Sequence, residues 1–489
     1  MRAPEKKRGR KIAASAVSAW LNPLVRLEAQ ADGTIAACFD DYSVGLGKFS
    51  AGAVDRAQAL RTGLPLSSFS DHGSATDKEI DLLVHRLARR GLLEYRLAHS
   101  HHEKYQVVIE PQLPDYWPRT TKPNDTETIA LSRFAYLRRR GNEMVLESPR
   151  AGALFRICDP RIASTLAALS TPRKISWLRR QDGFPGAELL TLLLDCEILF
   201  KVDAASDDLR AAEGDDNLVM WDFHDLLFHA RSTEGRQSNP LGGLYPFAGV
   251  ISPLPAVRPH WPGKKIDLDA FSTAAAAPNS PFTQLLQERH STRDFDDAQP
   301  ITLAELSQFL NRTARVQSNW TSKPDFDDHG PDIEYTTRRY PSGGSSYELE
   351  LYLAVAQCEG LARGFYHYDA GGHALVAIET RPHELEAMLS TAAFAMGASA
   401  APPILITIAA RFGRVSWKYA SIAHSLILKD AGVLIQTFYL MATDMGLGGC
   451  AIGTSNIDLF AKMTGIEFHV EGPVGQFALG RGSKLEGSE

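Results

Sequence analysis

Hydrophobic and polar positions follow two periods along this chain, and the first two hundred residues show them in the same order twice. Leu24 to Phe39 alternates like a hairpin turning at Asp32-Gly33. Thr76 to Leu97 then carries a helical stripe of Ile80, Leu83, Val84 and Leu87. Thr76 and Glu79 have capping-box spacing, Gly91 suits the helix end, and Leu92 to Leu97 reads as a strand. At an offset of roughly 107 residues the pattern recurs. Phe134 to Ser148 turns at Gly141, and Glu188 to Val202 gives a helix with Leu189, Leu190 and Leu193 inward, then a strand.

Strands, helices, a last helix and a β-wing predict a winged-helix-like unit, present twice. Such units read DNA or hold peptides by strand addition. A DNA reader needs a basic last helix. The first unit offers His85, Arg86, Arg89 and Arg90, but the second offers Asp195 and Glu197. The units are therefore expected to hold a peptide or protein partner, or to serve a purely structural role, rather than to bind nucleic acid. Prolines 111, 114, 118 and 123 mark a stiff linker, and residues 203–216 form an acidic one. The expected domains are residues 1–110, 124–203 and 217–489.

The last block mixes helix and strand periods. A helix is expected over Leu303 to Leu310, and strands over Leu349 to Ala356 and Ile404 to Ala409. The long apolar run Ser421 to Met445 contains His424, Lys429, Asp430, Gln436 and Asp444, which lipid rejects, so it reads as a buried helix and not a membrane span.

Composition narrows the function. Across 489 residues, 44% are hydrophobic and 22% charged, which excludes wholesale disorder. The charge sum, 52 − 58 = −6, excludes a polycation that binds nucleic acid along its length. Five scattered cysteines without C-x-x-C spacing argue against disulfides or structural zinc, and for a reducing cytoplasm. The basic start at Lys6 to Lys11 reads as a solvated tail. His99, His101 and His102 read as a solvated turn, so no metal is expected.

Four segments of the last block carry chemistry. Arg289-His290-Ser291-Thr292-Arg293 sets two guanidiniums and a hydroxyl within reach of one phosphate, or forms a charged turn before a helix. Tyr340-Pro341-Ser342-Gly343-Gly344 lets backbone approach a flat ligand, with hydroxyls for its polar edge. Lys418-Tyr419 offers two proton-transfer groups, the lysine needing burial or a nearby positive charge to approach neutrality. Gly446 to Gly453 ends the long helix with glycines whose amides can meet a ligand edge, Cys450 among them reading as a packing residue. Arg481, in a basic tail, could return charge to the same phosphate.

Together these segments resemble the FMN-dependent nitroreductase fold, and within it the SagB-type azoline dehydrogenases of thiazole/oxazole-modified peptide biosynthesis. The P-S-G-G segment at Pro341 to Gly344 and the Lys418-Tyr419 pair carry the likeness, with Trp221 to Ser232 similar to that branch's opening segment. The sequence departs from the pattern at Ser345-Ser346. Cyanobactin oxidases of the branch set tandem winged-helix units ahead of such a domain. The resemblance implies an α+β fold and a homodimer with FMN at the subunit interface. Arg289, His290, Ser291, Arg293 and Arg481 would serve its phosphate and pyrimidine side; Ser342, Gly343, Gly344, Gly448 and Gly449 would line its edges. Lys418 would be the base and Tyr419 its relay, in oxidation of an azoline-containing precursor peptide delivered with a cyclodehydratase partner. Two other readings stay open: a generic NAD(P)H-dependent flavin nitroreductase, and a non-enzymatic winged-helix scaffold or regulator.

Overall fold

The computed structural model describes residues 16–30, 34–38, 43–69, 74–98, 105–114, 116–119, 123–181, 186–202, 213, 216–236, 243, 245–259, 262–272, 280–324 and 330–482. Asp32-Gly33, the three histidines at 99, 101 and 102, and the basic N-terminal tail lie outside these residues. The chain divides into two compact units, Met1–Asn239 and Pro240–Glu489.

In the first unit the expected elements form where the periodicity places them. Arg26–Ala29 pairs antiparallel with Thr34–Cys38, and Tyr136–Arg140 pairs with Glu143–Glu147 around Gly141, whose φ is +60°. The helix Ala75–Arg89 buries Ile80, Leu83, Val84 and Leu87 completely. Its cap differs from expectation. Ser74, not Thr76, is the N-cap, and its box is closed by Asp77, not Glu79. Both spacings satisfy the same rule, but Glu79 instead accepts the Ser50 N–H at 3.0 Å, tying this helix to the helix Ala51–Gln58. Gly91 at φ +67° ends the helix as expected.

The two repeats are not separate bodies. Tyr105–Pro111 of the first pairs antiparallel with Ala153–Ile157 of the second, with Ile109 opposite Phe155. Seven strands thereby make one sheet, in the order Leu64–Pro65, Ala16–Leu21, Leu93–Ala98, Tyr105–Pro111, Ala153–Ile157, Glu143–Glu147, Tyr136–Arg140. One apolar core runs beneath it, from Val17 through Leu83 and Phe155 to Leu193 and Leu199. Each repeat has an open strand edge, and the two edges satisfy one another.

The boundary also moves. Trp221 to Ser232, expected at the opening of the last domain, folds with the first unit, its helix spanning Phe223–Arg231. Arg231 forms an ion pair with the buried Glu147 carboxylate, and Arg133 donates to the Trp221 carbonyl at 2.8 Å. Buried Glu147 is also paired with Arg138 of the strand Tyr136–Arg140 at 2.6 Å, so Arg231 is a second cation on this carboxylate and ties the segment to the sheet.

The second unit is α+β, as the resemblance implies. A wholly antiparallel sheet of six strands runs in the order Ala374–Ile378, Gly364–Asp369, Leu349–Val355, Ile404–Arg411, Glu471–Gly480, Gly448–Ile452. Ile404–Arg411 is buried on both faces, which explains its unbroken apolar run. Leu405 and Ala409 meet the helices Pro382–Met396 and Ile457–Thr464 on one face. The other face carries the long helix Ala423–Asp444, whose Phe438 ring stands 5.4 Å from Phe477 and 5.2 Å from Phe309.

Leu83 and its exposed neighbour Leu82 give the core a direct test. Leu83→Ala should cost about 2–5 kcal/mol in chemical denaturation, whereas Leu82→Ala, at a side chain 47% exposed, should change stability by no more than about 0.5 kcal/mol.

Candidate active site

Two polar residues on the buried face of the long helix gather the segments singled out in the sequence. Toward its N-terminal half, Asp430 Oδ2 accepts the Ser342 hydroxyl at 2.9 Å and the Gly343 N–H at 2.8 Å. Toward its C-terminal end, the Tyr439 hydroxyl lies 2.8 Å from Ser291 Oγ and accepts the Ala451 N–H at 2.8 Å. Nine residues separate Asp430 from Tyr439, about 13–14 Å along the helix axis.

The first cluster joins the serine-glycine turn to the Lys-Tyr pair. Gly344 adopts φ +62°, a left-handed conformation that favours glycine. A Cβ there would run into the Tyr419 hydroxyl and stand 3.2 Å from Lys418 Nζ. Lys418 Nζ donates to the Gly344 carbonyl at 3.4 Å and sits 5.7 Å from the centroids of the Tyr335 and Tyr419 rings. Lys418 is exposed rather than buried, and Tyr419 is half-buried. Its neighbours are these ring faces and a carbonyl, so the apolar pocket or adjacent cation that the sequence argument asked for is not what surrounds the amine. Ser345 also lies in the left-handed region at φ +55°, a conformation that costs a non-glycine residue about 1–2 kcal/mol.

Ser342 plays a different part from the one expected. Its hydroxyl is turned inward to Asp430 and Glu348 and accepts the Tyr347 N–H at 3.0 Å, so it shapes the turn. Glu348 is fully buried, and burial together with the neighbouring Asp430 charge pushes its carboxyl up to about 7.

The second cluster brings the basic opening to the glycines. The Thr292 N–H donates to the Gly449 carbonyl at 2.8 Å, and a Cβ on Gly448 would stand 2.6 Å from Thr292 Cγ2. Arg289 lies 5.2 Å from the Tyr439 ring centroid, Arg293 is exposed, and His290 Nδ1 lies 2.9 Å from the Glu288 carbonyl. Gly448 and Gly449 are not loop amides as expected. They belong to the strand Gly448–Ile452, paired with Glu471–Gly480, and are buried beneath Thr292 and Phe477. Ladder pairing outcompetes a free turn because the final strand offers complementary groups. Arg481 is likewise committed, to Glu305 at 2.7 Å and the Gln299 carbonyl at 3.2 Å, which makes it a tie between segments. Burial pushes the Cys450 thiol above its ordinary value, against the pull of Arg293, consistent with a packing residue.

Of this opening, Arg293 is exposed, Arg289 is half-buried beside the Tyr439 ring, and the half-buried Ser291 hydroxyl is paired with that of Tyr439; two guanidiniums on one short segment suit a phosphate dianion. Asp430, Tyr439 and Glu348 were not singled out as site residues. For Asp430 and Tyr439 the available signal was a polar side chain in phase with the apolar stripe of a long helix.

The sequence matches the nitroreductase family over residues 286–481 and the cyanobactin oxidase ThcOx over residues 129–238. A protein of Methanocaldococcus jannaschii described as a nitroreductase is 32% identical over 171 residues, 35% of this chain and 76% of that protein. Among solved structures, a chain of the Escherichia coli microcin synthetase McbBCD complex, with truncated pro-MccB17 bound, is similar at 18% identity and TM-score 0.39, over 55% of this chain and 97% of its own. A nitroreductase from Desulfovibrio desulfuricans in complex with FMN is similar at 13% identity and TM-score 0.28, over 43% and 91%.

Tyr439→Phe removes the acceptor of the Ala451 N–H and the partner of Ser291. It should destabilise the second unit by about 1–3 kcal/mol in denaturant unfolding. Gly344→Ala should cost at least about 1–2 kcal/mol and should raise the accessibility of Tyr419 to nitration by displacing its ring.

Proposed function

The chain belongs to the nitroreductase family, and from that premise we propose that it oxidises thiazoline and oxazoline rings of a peptide to thiazoles and oxazoles. The peptide is a ribosomally made precursor, cyclised beforehand by a cyclodehydratase. The match of residues 129–238 to a cyanobactin oxidase supports this choice over other reactions of the family. The observation that carries it is the meeting of Lys418 and Tyr419 with the Ser342-Gly343-Gly344 turn, across 74 residues of sequence between Gly344 and Lys418.

FMN is the cofactor of this reading, and when bound it supplies a two-electron acceptor for the hydride that leaves the azoline ring. Arg289, Ser291 and Arg293, with His290 beside them in sequence, would hold its phosphate. Gly343-Gly344, a turn shaped by Ser342, would line one edge of it. The other hydrogen leaves as a proton, and Lys418 Nζ is the base that takes it, oriented by the Gly344 carbonyl and by Tyr419. The protein's work is to hold the ring and the base in reacting order and to receive the proton.

A homodimer completes this reading. The long helix leaves a stripe of Ser425, Leu428, Lys429, Gly432, Val433 and Gln436 exposed at helical spacing, and a second copy packed along it would bring the Lys-Tyr cluster of one chain toward the phosphate donors of the other. The first unit would hold the precursor peptide or the cyclodehydratase, raising the azoline concentration near the base. Five cysteines without a disulfide suit a cytoplasmic enzyme.

Lys418→Ala should retain bound FMN but lose azole formation by about a hundredfold or more, read as the missing loss of two hydrogens in the mass of a cyclised peptide. Arg293→Ala should instead weaken FMN itself, by about tenfold or more in a fluorescence titration. Rapid bleaching of the flavin by NAD(P)H in the wild type, with no change in peptide mass, would assign the protein to a generic reductase.

A further inference from the structure

Hydrogen counting at Ser342 leads beyond the residues assigned so far. Its hydroxyl has one hydrogen and two acceptor positions. The oxygen accepts the Tyr347 N–H at 3.0 Å, and it also lies 2.9 Å from Asp430 Oδ2 and 3.3 Å from Glu348 Oε2. Two ionised carboxylates would compete for a single hydrogen, and one contact would set two lone pairs against each other. The count closes when one carboxyl carries a proton and gives it to Ser342 Oγ. Serine then accepts twice, from Tyr347 and from the acid, and donates once.

The two carboxyls are not equivalent holders of that proton. Asp430 Oδ2 already receives the Gly343 N–H and the serine hydroxyl, so its contacts there are filled by donors. Glu348 is 0% exposed, and its Oε1 has no hydrogen-bond partner among the described residues. An ion in that place would be buried and half-solvated; a neutral acid is tolerated.

We propose that Glu348 is a positioning residue that works as a neutral acid, its O–H donated to Ser342 Oγ holding the Ser342-Gly343-Gly344 turn in the shape that carries Lys418. The inference deepens the azoline-oxidase reading and depends on it for its consequence, though not for its chemistry. The link is short: Glu348 to Ser342, Ser342 with Gly343 to Asp430, and Gly344 to Lys418.

The surroundings set the sign of the pH response. Asp430 faces Glu348 from the long helix and opposes its ionisation, as does burial. Arg338 donates to the Leu349 carbonyl at 2.7 Å, the Arg411 N–H donates to the Glu348 carbonyl at 3.0 Å, and Tyr340 is buried alongside. Glu350 follows on the same strand, and Lys418 and Tyr419 face the turn from its far side. With the folded value at about 7, the native state keeps a proton that the unfolded chain has already released. Stability therefore falls as pH rises from the ordinary glutamate value to about 7, and levels off above it. Over the upper part of that range the turn loses its acid hydrogen bond, so turnover falls with it.

Glu348→Gln supplies an N–H donor in the same place and cannot ionise, while Glu348→Ala supplies none. The direct measurement is the difference infrared spectrum between about pH 6 and about pH 9, on FMN-free and FMN-loaded protein. Burial also raises the Glu234 and Glu471 carboxyls, which contribute alike to wild type and E348Q, so wild type should show additional C=O stretch of a protonated carboxyl at the lower pH that E348Q lacks. In turnover, E348Q should flatten the neutral-to-basic fall, and E348A should lose about tenfold or more at every pH. Equal carboxyl bands in wild type and E348Q, or an E348Q profile that keeps the wild-type fall, would each overturn the proposal. If E348A fails to fold, the infrared comparison and E348Q still decide. A wild type that shows the band and oxidises no azoline would end the functional reading and leave the neutral acid standing.

Discussion

A buried polar group must find a partner, and on the helix Ala423–Asp444 that requirement organises the candidate site. Asp430 and Tyr439 face inward along a helix otherwise packed through Leu434, Phe438 and Ala442. Leaving either unsatisfied would cost about 1–3 kcal/mol. Asp430 is satisfied by Ser342 and Gly343, Tyr439 by Ser291 and Ala451. The groups that discharge the penalty are the segments that carry the candidate chemistry, so the helix acts as a ruler with two marks.

Each mark depends on small residues. Gly344 lets Lys418 and Tyr419 close onto the turn, and Gly448 lets Thr292 lie against the edge strand. These glycines work through close approach of side chains to backbone, a role distinct from baring amides to a ligand. The result is one exposed amine over a carbonyl and two ring faces, and a separate group of guanidiniums.

Much of this was legible in advance, and the exceptions have physical causes. The stripes Ile80, Leu83, Val84, Leu87 and Leu189, Leu190, Leu193 predicted their helices because burial of one face is a local, periodic property. The cap fell at Ser74 because two spacings obeyed the same rule and Glu79 was taken by Ser50. Gly448 and Gly449 read as a loop because nothing nearby in sequence announces the strand that pairs with them, Glu471–Gly480. Arg481 read as a phosphate ligand because its charge was visible and its partner Glu305, 176 residues away, was not.

From sequence alone came the striped helices of the two repeats, the helix near Leu303, the strands near Leu349 and Ile404, the long helix, the four chemical segments and the adjacency of Lys418 and Tyr419. All of these depend on residue types at short spacing. Tertiary structure alone decided that two repeats share one sheet, that Trp221 to Ser232 belongs with them, and that Ser342 faces two carboxyls. Those outcomes turn on edges and charges that meet only after folding, where a strand edge or a buried anion takes whichever partner the chain brings to it.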